Sequence, residues 1–303
     1  MAPRGEAHGV LLLDKPEGFS STQALARAKR FLASRKAGHT GTLDPFATGL
    51  LPLVFGEATK FSRFLIDATK AYRATLCLGR TSTTGDTEGE VREVAAFTGG
   101  PEVVDAVLER FRGPQSQLPP MHSAVHHGGR RLYDLAREGI EVEREPRAVV
   151  IHELRRVALD GATLVVDVAC SKGTYIRSLA MDIGEALGCG AYLTGLRRTA
   201  AGAFRLEDAV TLPALEAMGI DAARAVLLPV DVLVAGLPRW DAPDEPAWRF
   251  SQGQVVGCPA ARPGEAWAVF RPGGGLIGVG RAEAAGRLAP ERLMAGGEMG
   301  GNP

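Results

Sequence analysis

An aspartate in a glycine-punctuated turn is the residue of this chain best suited to chemistry. Asp44 lies in His39-Thr40-Gly41-Thr42-Leu43-Asp44-Pro45, and an apolar run over residues 50–54 follows. Pro45 fixes its own φ and drives Asp44 out of the helical region, so the carboxylate is held extended at a turn. A carboxylate on a rigid turn beside a core can serve as nucleophile or base. The same string also makes a plain turn, because Asp and Pro both favour turns. Two further clusters can act with it. Tyr72 stands between Lys70 and Arg73, suited either to stack on a nucleobase or to pack as a half-buried strand tyrosine. Ser171-Lys172-Gly173-Thr174-Tyr175-Ile176-Arg177 passes from an apolar run into a helical pattern, which puts Tyr175 and Arg177 at a helix start. Arg177 can pair with a buried carboxylate or remain an ordinary surface cation. His39 precedes Asp44 by five residues, with no further metal ligand at a recognisable spacing, so no metal is expected.

Composition narrows the chemistry. The chain has 303 residues, 45% hydrophobic and 23% charged, which fits a soluble globular protein with one large domain and a small one. No apolar run reaches the ~20 residues of a membrane span, and the N-terminus lacks a signal peptide's apolar centre. Cys77, Cys170, Cys189 and Cys258 lie far apart and read as reduced thiols of a cytoplasmic protein. There is no Gly-x-Gly-x-x-Gly opening a helix, no Walker-type loop and no Gly-x-Ser-x-Gly elbow, so nucleotide cofactors and serine hydrolysis lose their basis. The formal net charge of zero conceals an asymmetry: residues 1–80 hold 12 Lys/Arg against 6 Asp/Glu, and the remainder 23 against 29. The excess positive charge surrounds Asp44, where it can meet phosphates, although solvated helix faces give similar counts.

The elements that must position these residues follow from periodicity. Residues 10–13 read as a strand, and Ser20, Ser21 or Thr22 can cap a helix running to about 32. Residues 57–66 have helical spacing. Residues 72–78 alternate as a half-buried strand, and residues 79–89 have loop composition. Pro101 opens a helix ending near 112. Residues 115–147, rich in Pro, His, Gly and Arg, read as an extended arm with a short helical piece near 132–137. Strands at 149–154 and 164–169 are joined by the hairpin signal Asp160-Gly161. A helix then carries Ile176, Leu179, Ala180, Ile183 and Leu187, with Gly188 as its cap. Val210-Thr211-Leu212-Pro213 opens another. From about 238, short apolar pieces between Gly/Pro clusters suggest a small β-barrel-like module.

In combination these stretches resemble the tRNA pseudouridine synthase B (TruB) family. The resemblance rests on Gly9-Val10-Leu11-Leu12-Leu13-Asp14-Lys15-Pro16, on Ala37-Gly38-His39-Thr40-Gly41-Thr42-Leu43-Asp44-Pro45, and on Gly56-Glu57-Ala58-Thr59-Lys60. Tyr72-Arg73, Cys170-Ser171-Lys172-Gly173-Thr174-Tyr175-Ile176-Arg177 and Leu196-Arg197-Arg198 complete it, in order along residues 9–210. It implies an α+β pseudouridine-synthase fold: a largely antiparallel central sheet flanked by helices over residues 1–235, with a thumb-like insertion at about 115–147. A PUA-like RNA-binding module over residues 236–303 would follow. It implies conversion of the uridine at position 55, in the tRNA TΨC loop, to pseudouridine without a cofactor, a guide RNA or a membrane, by a monomer. Asp44 would be the nucleophile, Tyr72 would stack on the flipped base and Arg177 would pair with Asp44. Tyr175 and Leu196 would line the uracil pocket and His39 would support the flipped nucleotide. Lys15 and Pro16 would brace the pocket floor, with Asp86 in support.

The arm departs from the family pattern. Tyr-Ser-Ala, an aliphatic residue and Lys are usual after Leu118-Pro119-Pro120-Met121, where this chain has His122-Ser123-Ala124-Val125-His126. The exchange is expected to weaken RNA binding by the arm or make it pH-dependent. A non-catalytic RNA-binding or tRNA-folding protein, a guided synthase and a nucleoside hydrolase are the alternative readings.

Overall fold

Strands buried on both faces explain the chain's continuous apolar runs. In a computed structural model, which describes residues 5–121, 126–131, 135, 138–140, 142–284 and 286–295, β1 (Gly9–Lys15) leads through α1 (Ser21–Phe31) and β2 (Ala37–His39) to β3 (Thr48–Phe55). In β1, Leu11 and Leu13 join one apolar cluster while Val10 and Leu12 join another. β3 divides the same way, Leu51, Leu53 and Phe55 on one side and Leu50 and Val54 on the other. A strand covered on both sides has no polar face to alternate with.

The helical spacing over 57–66 resolves into two pieces, a 3-10 segment (Gly56–Phe61) and α2 (Arg63–Ile66). Thr59 Oγ1 donates to the Gly56 carbonyl at 2.7 Å and Ser62 Oγ to that of Thr59 at 3.1 Å, side-chain bonds that compete with a continuous α-ladder. β4 (Lys70–Leu78) alternates as expected, Ala74, Leu76 and Leu78 inward and Arg73 outward. β5 (Arg80–Ser82) and β6 (Val91–Glu93) pair around the 79–89 loop, and α3 (Pro101–Arg110) and β7 (Gly113–Gln117) lead to the arm. There β8 (His126–His127) pairs with β9 (Arg130–Arg131). His122 and the greater part of the short helix expected near 132–137 lie outside the described residues. β10 (Arg147–Asp160) and β11 (Thr163–Cys170) form a hairpin whose turn holds Gly161 at φ +55°. α4 (Ile176–Ala186), β12 (Ala191–Ala201), β13 (Phe204–Arg205), β14 (Val210–Thr211) and α5 (Leu212–Ala225) follow.

These strands form a ten-stranded sheet in the order β14-β1-β3-β12-β4-β11-β10-β7, with β2 on β3 and β13 on β12. It is largely antiparallel; β1–β14 and the brief β3–β12 contact are parallel. Helices α1, α3, α4 and α5 cover one face through the larger core cluster. The C-terminal segment comprises β15 (Arg239–Asp241), α6 (Asp244–Ser251), β16 (Val256–Gly257), β17 (Ala266–Phe270), β18 (Leu276–Ala284) and β19 (Arg287–Leu293), a curled five-stranded sheet ordered β15-β17-β18-β19-β16. Its Ala268, Phe270 and Val279 pack with Phe61, Leu65, Val10 and Leu50. The seam is tied by Arg63 to Glu291 at 2.6 Å and by Lys60 Nζ to the Leu293 carbonyl at 3.1 Å. The fold is therefore α+β, with the basic 57–63 segment committed to holding the second sheet. No helix of the described residues is long and apolar enough to cross a membrane.

Phe61, fully buried in that seam, is expected to cost about 3–5 kcal/mol when replaced by Ala. Trp248→Ala, at a residue 59% exposed on α6, should stay within about 0.5 kcal/mol. Urea unfolding of the two variants measures both.

Candidate active site

The loop between β2 and β3 is fastened from several sides before any substrate arrives. Lys15, at the end of β1, is fully buried, and its Nζ donates to the carbonyls of Phe19 (2.6 Å), Pro16 (2.9 Å) and Pro45 (3.3 Å). Burial pushes its pKa down to about 8, and the nearby Asp44 carboxylate pulls the other way. The Gly18 amide donates to the same Pro45 carbonyl at 2.9 Å. The neighbouring serines divide two tasks. Ser20 caps α1 in a capping box with Gln23, whereas the buried Ser21 hydroxyl accepts from the Leu43 amide (2.8 Å) and donates to the Leu43 carbonyl (3.0 Å). The residues on either side of Asp44 are thus both anchored to the β1–α1 corner.

The carboxylate itself is aimed by α4. Arg177 stands in the first turn of that helix with 5% of its side chain exposed. Its Nε lies 3.1 Å from Asp44 Oδ2 and its Nη1 3.3 Å from Asp86 Oδ2. Nη1 also donates to the Thr84 carbonyl at 3.1 Å. Asp86, 1% exposed, accepts from the Thr84 hydroxyl and from the Glu88 amide. One guanidinium therefore bridges a sealed carboxylate and one that retains 33% side-chain exposure at the cleft. The surrounding protein still desolvates Asp44, and this raises its pKa; Arg177 opposes the rise and Asp86 adds to it. A carboxylate so placed is a stronger base and nucleophile than a free one, and its direction is fixed.

Asp44, Tyr72, Tyr175, Arg177 and Leu196 all line one open cleft of about 490 Å³, with Arg147 and Lys172 also on its wall. Tyr72 (β4) sits directly across from Arg198 (β12) in the strand pairing. Burial raises the Tyr72 pKa, so its hydroxyl stays protonated; the nearby Arg198 charge works against the rise. Tyr175 is the residue before α4, and Gln117 holds its backbone from both sides, Nε2 to the Tyr175 carbonyl (3.0 Å) and Oε1 from its amide (2.7 Å). Lys15, Pro16 and Asp86 are not among the residues that line the cleft. His39 does not line it; burial, with Arg198 close by, pushes its pKa down, and its buried Nδ1 makes no hydrogen bond.

Two cations beside Tyr72 are otherwise engaged than their sequence positions suggest. Lys70 is buried, with Nζ on the carbonyls of Leu65, Ile66 and Ala68 at the end of α2. Arg73 points outward in a two-pronged pair with Asp167 at 2.8 and 3.0 Å. Neither is disposed as a phosphate contact flanking the ring. Conversely, the roles of Ser21, Gln117 and Arg198 escape sequence reasoning because each works on backbone atoms far away along the chain, 22, 58 and 148 residues off.

The large, mostly antiparallel sheet with its flanking helices has the pseudouridine-synthase fold. The solved Cbf5–Nop10–Gar1 complex is similar over 95% of this chain and 85% of the matched one, with a TM-score of 0.76 and 26% identity. An H/ACA RNP bound to a substrate RNA containing 2'-deoxyuridine is similar over the same shares, with a TM-score of 0.74 and 25% identity. Residues 29–176 match the family described as TruB family pseudouridylate synthase (N terminal domain). Residues 177–235 match the tRNA pseudouridylate synthase B C-terminal domain, and residues 242–294 Pseudouridine synthase II TruB, C-terminal. The tRNA pseudouridine synthase B of Dechloromonas aromatica is 52% identical over 289 residues, 95% of this chain and 96% of the relative. That of Chromobacterium violaceum is 49% identical over 294 residues, 96% of each. The chain belongs to the TruB family of pseudouridine synthases, which isomerise uridine.

Carbon NMR titration of the Asp44 carboxyl is expected to give a midpoint above the ordinary aspartate value of 3.8. In Arg177→Gln the midpoint should move further up, because burial then acts with less opposition. A midpoint that falls in the variant would reverse the assigned sign.

Proposed function

We propose that this protein converts the uridine at position 55, in the TΨC loop of tRNA, to pseudouridine, with Asp44 as the group that opens the glycosidic bond. The carrying observation is the Asp44 carboxylate held 3.1 Å from Arg177 in a cleft that also presents Tyr72. The reaction breaks the N1–C1′ bond, turns the uracil and joins C5 to C1′; C5 gives up a proton and N1 gains one. Atoms and electrons balance within the nucleotide, so the chemistry asks for a carboxylate, a fixed base and a dry pocket rather than a group donor. Asp44 supplies the electron pair, and Arg177 aims it and offsets its burial. Tyr72 stacks on the base, and Tyr175 and Leu196 close the pocket around the uracil. Lys15, Pro16 and Asp86 hold the machinery in place.

The target must leave its stack at a cost of a few kcal/mol, which aromatic stacking and phosphate contacts offset. Arg147 and Lys172 on the cleft wall are suited to the phosphates. The residue 236–303 segment acts as a PUA-like second RNA contact, and the arm grips the stem-loop. A stand-alone cytoplasmic enzyme is favoured over a guided one because the full-length relatives at about 50% identity bear the tRNA enzyme's name.

Incubation with unmodified tRNA transcript, followed by nucleotide-resolved pseudouridine mapping, tests this reading. The wild type should modify position 55, and Asp44→Asn should abolish the product while tRNA affinity stays within about threefold. Product at the wild-type rate from Asp44→Asn would refute the catalytic assignment, and release of free uracil would indicate a hydrolase.

A further inference from the structure

Arg198 lies on β12 and is 2% exposed, one of the largest fully buried side chains of the molecule. Its Nε donates to the Leu50 carbonyl at 2.6 Å and its Nη2 to the Gly41 carbonyl at 3.2 Å. Those two carbonyls stand at the two ends of the segment that carries Asp44, so the fork spans the neck of the loop. The loop's glycines are fitted to the same residue. Gly49, at φ +97°, lies so close that a Cβ there would come within 2.4 Å of the Arg198 carbonyl oxygen, and a Cβ on Gly41 would touch Arg198 Nη1 at 3.4 Å. The short parallel contact between β3 and β12 pairs Arg198 with Gly49 itself. On its other side Arg198 is the cross-strand partner of Tyr72.

We propose that Arg198 is a positioning residue: one planar guanidinium clamps both ends of the Asp44 loop and sets that loop against Tyr72. Planarity is the reason for arginine. Its donors are fixed in a fork that reaches two carbonyls at once, whereas a lysine ammonium on a flexible stem keeps the charge without the fork. Arg198 makes no ion pair with Asp44; it acts through the backbone that Asp44 rides on. The catalytic consequence rests on the proposed function, while the clamp does not.

The test is Arg198→Lys, with Arg198→Gln beside it. Single-turnover pseudouridine formation on unmodified tRNA should fall by about 10²-fold, the scale of an ångström-sized misplacement, while the tRNA dissociation constant stays within about threefold. Hydrogen exchange should quicken in peptides covering residues 40–50, with β4 and β11 protected as in the wild type. A wild-type rate with wild-type exchange in Arg198→Lys would overturn the proposal. So would failure of that variant to fold, or protection lost evenly over the sheet, because Arg198 would then be a general core residue. If the wild type makes no pseudouridine, the functional reading fails, and exchange over residues 40–50 still decides the clamp.

Discussion

Arg177 carries a carboxylate on each side, and the geometry of the cleft depends on that sharing. Asp86 is sealed from solvent behind it and Asp44 opens to the cleft in front. Truncating a buried arginine of this kind leaves an uncompensated charge, a loss of about 3–5 kcal/mol in comparable pairs. The pair is therefore a fixed part of the fold. The inner aspartate and the Thr84 carbonyl hold the guanidinium still, and the guanidinium in turn holds the outer carboxylate. Arg177 also moderates the burial that would otherwise drive Asp44 toward its neutral form.

The rest of the chain can be read as support for that arrangement. The Asp44 loop hangs between β2 and β3 and is pinned at Leu43 by Ser21, at Pro45 by Lys15 and at its two ends by Arg198. The helix that supplies Arg177 is set by Gln117 at Tyr175. None of these fastenings involves a solvent-exposed ion pair, so salt should loosen them little. The C-terminal sheet adds a further layer. It packs on the 3-10 segment and α2, whose last residue Ile66 lines the cleft together with Lys70, so the second sheet steadies a wall of the cleft.

Much of this was legible in the sequence. Alternation in 72–78 gave β4 and its inward face, Asp160-Gly161 the hairpin, and Thr211-Leu212-Pro213 the start of α5. The meeting of Asp44, Tyr72 and Arg177 was expected from motif resemblance, since nothing local links residues 44 and 177. Local spacing misled at 57–66, where Thr and Ser hydroxyls bonded to backbone carbonyls break one helix into two pieces. It also misled around Tyr72: a lysine beside an aromatic reads as a phosphate contact, yet Lys70 turns inward to cap α2. Ser21 and Arg198 lie in stretches already singled out, but their roles, like that of Gln117, left no trace because a side chain bonded to distant backbone has no periodicity and no partner residue type to signal it. Apolar runs buried on both faces, as in β1 and β3, likewise report a strand without saying what covers each side.

Arg177 can hold Asp44 in place because a second, buried carboxylate holds Arg177. Asp86→Asn probes that dependence, since Asp86 does not line the cleft and keeps nearly its shape as Asn. Single-turnover kinetics with unmodified tRNA should show the rate falling by about tenfold or more, some 1.4 kcal/mol of transition-state stabilisation, with tRNA affinity unchanged. A wild-type rate in that variant would mean that the inner aspartate merely fills space and that Arg177 does not depend on it.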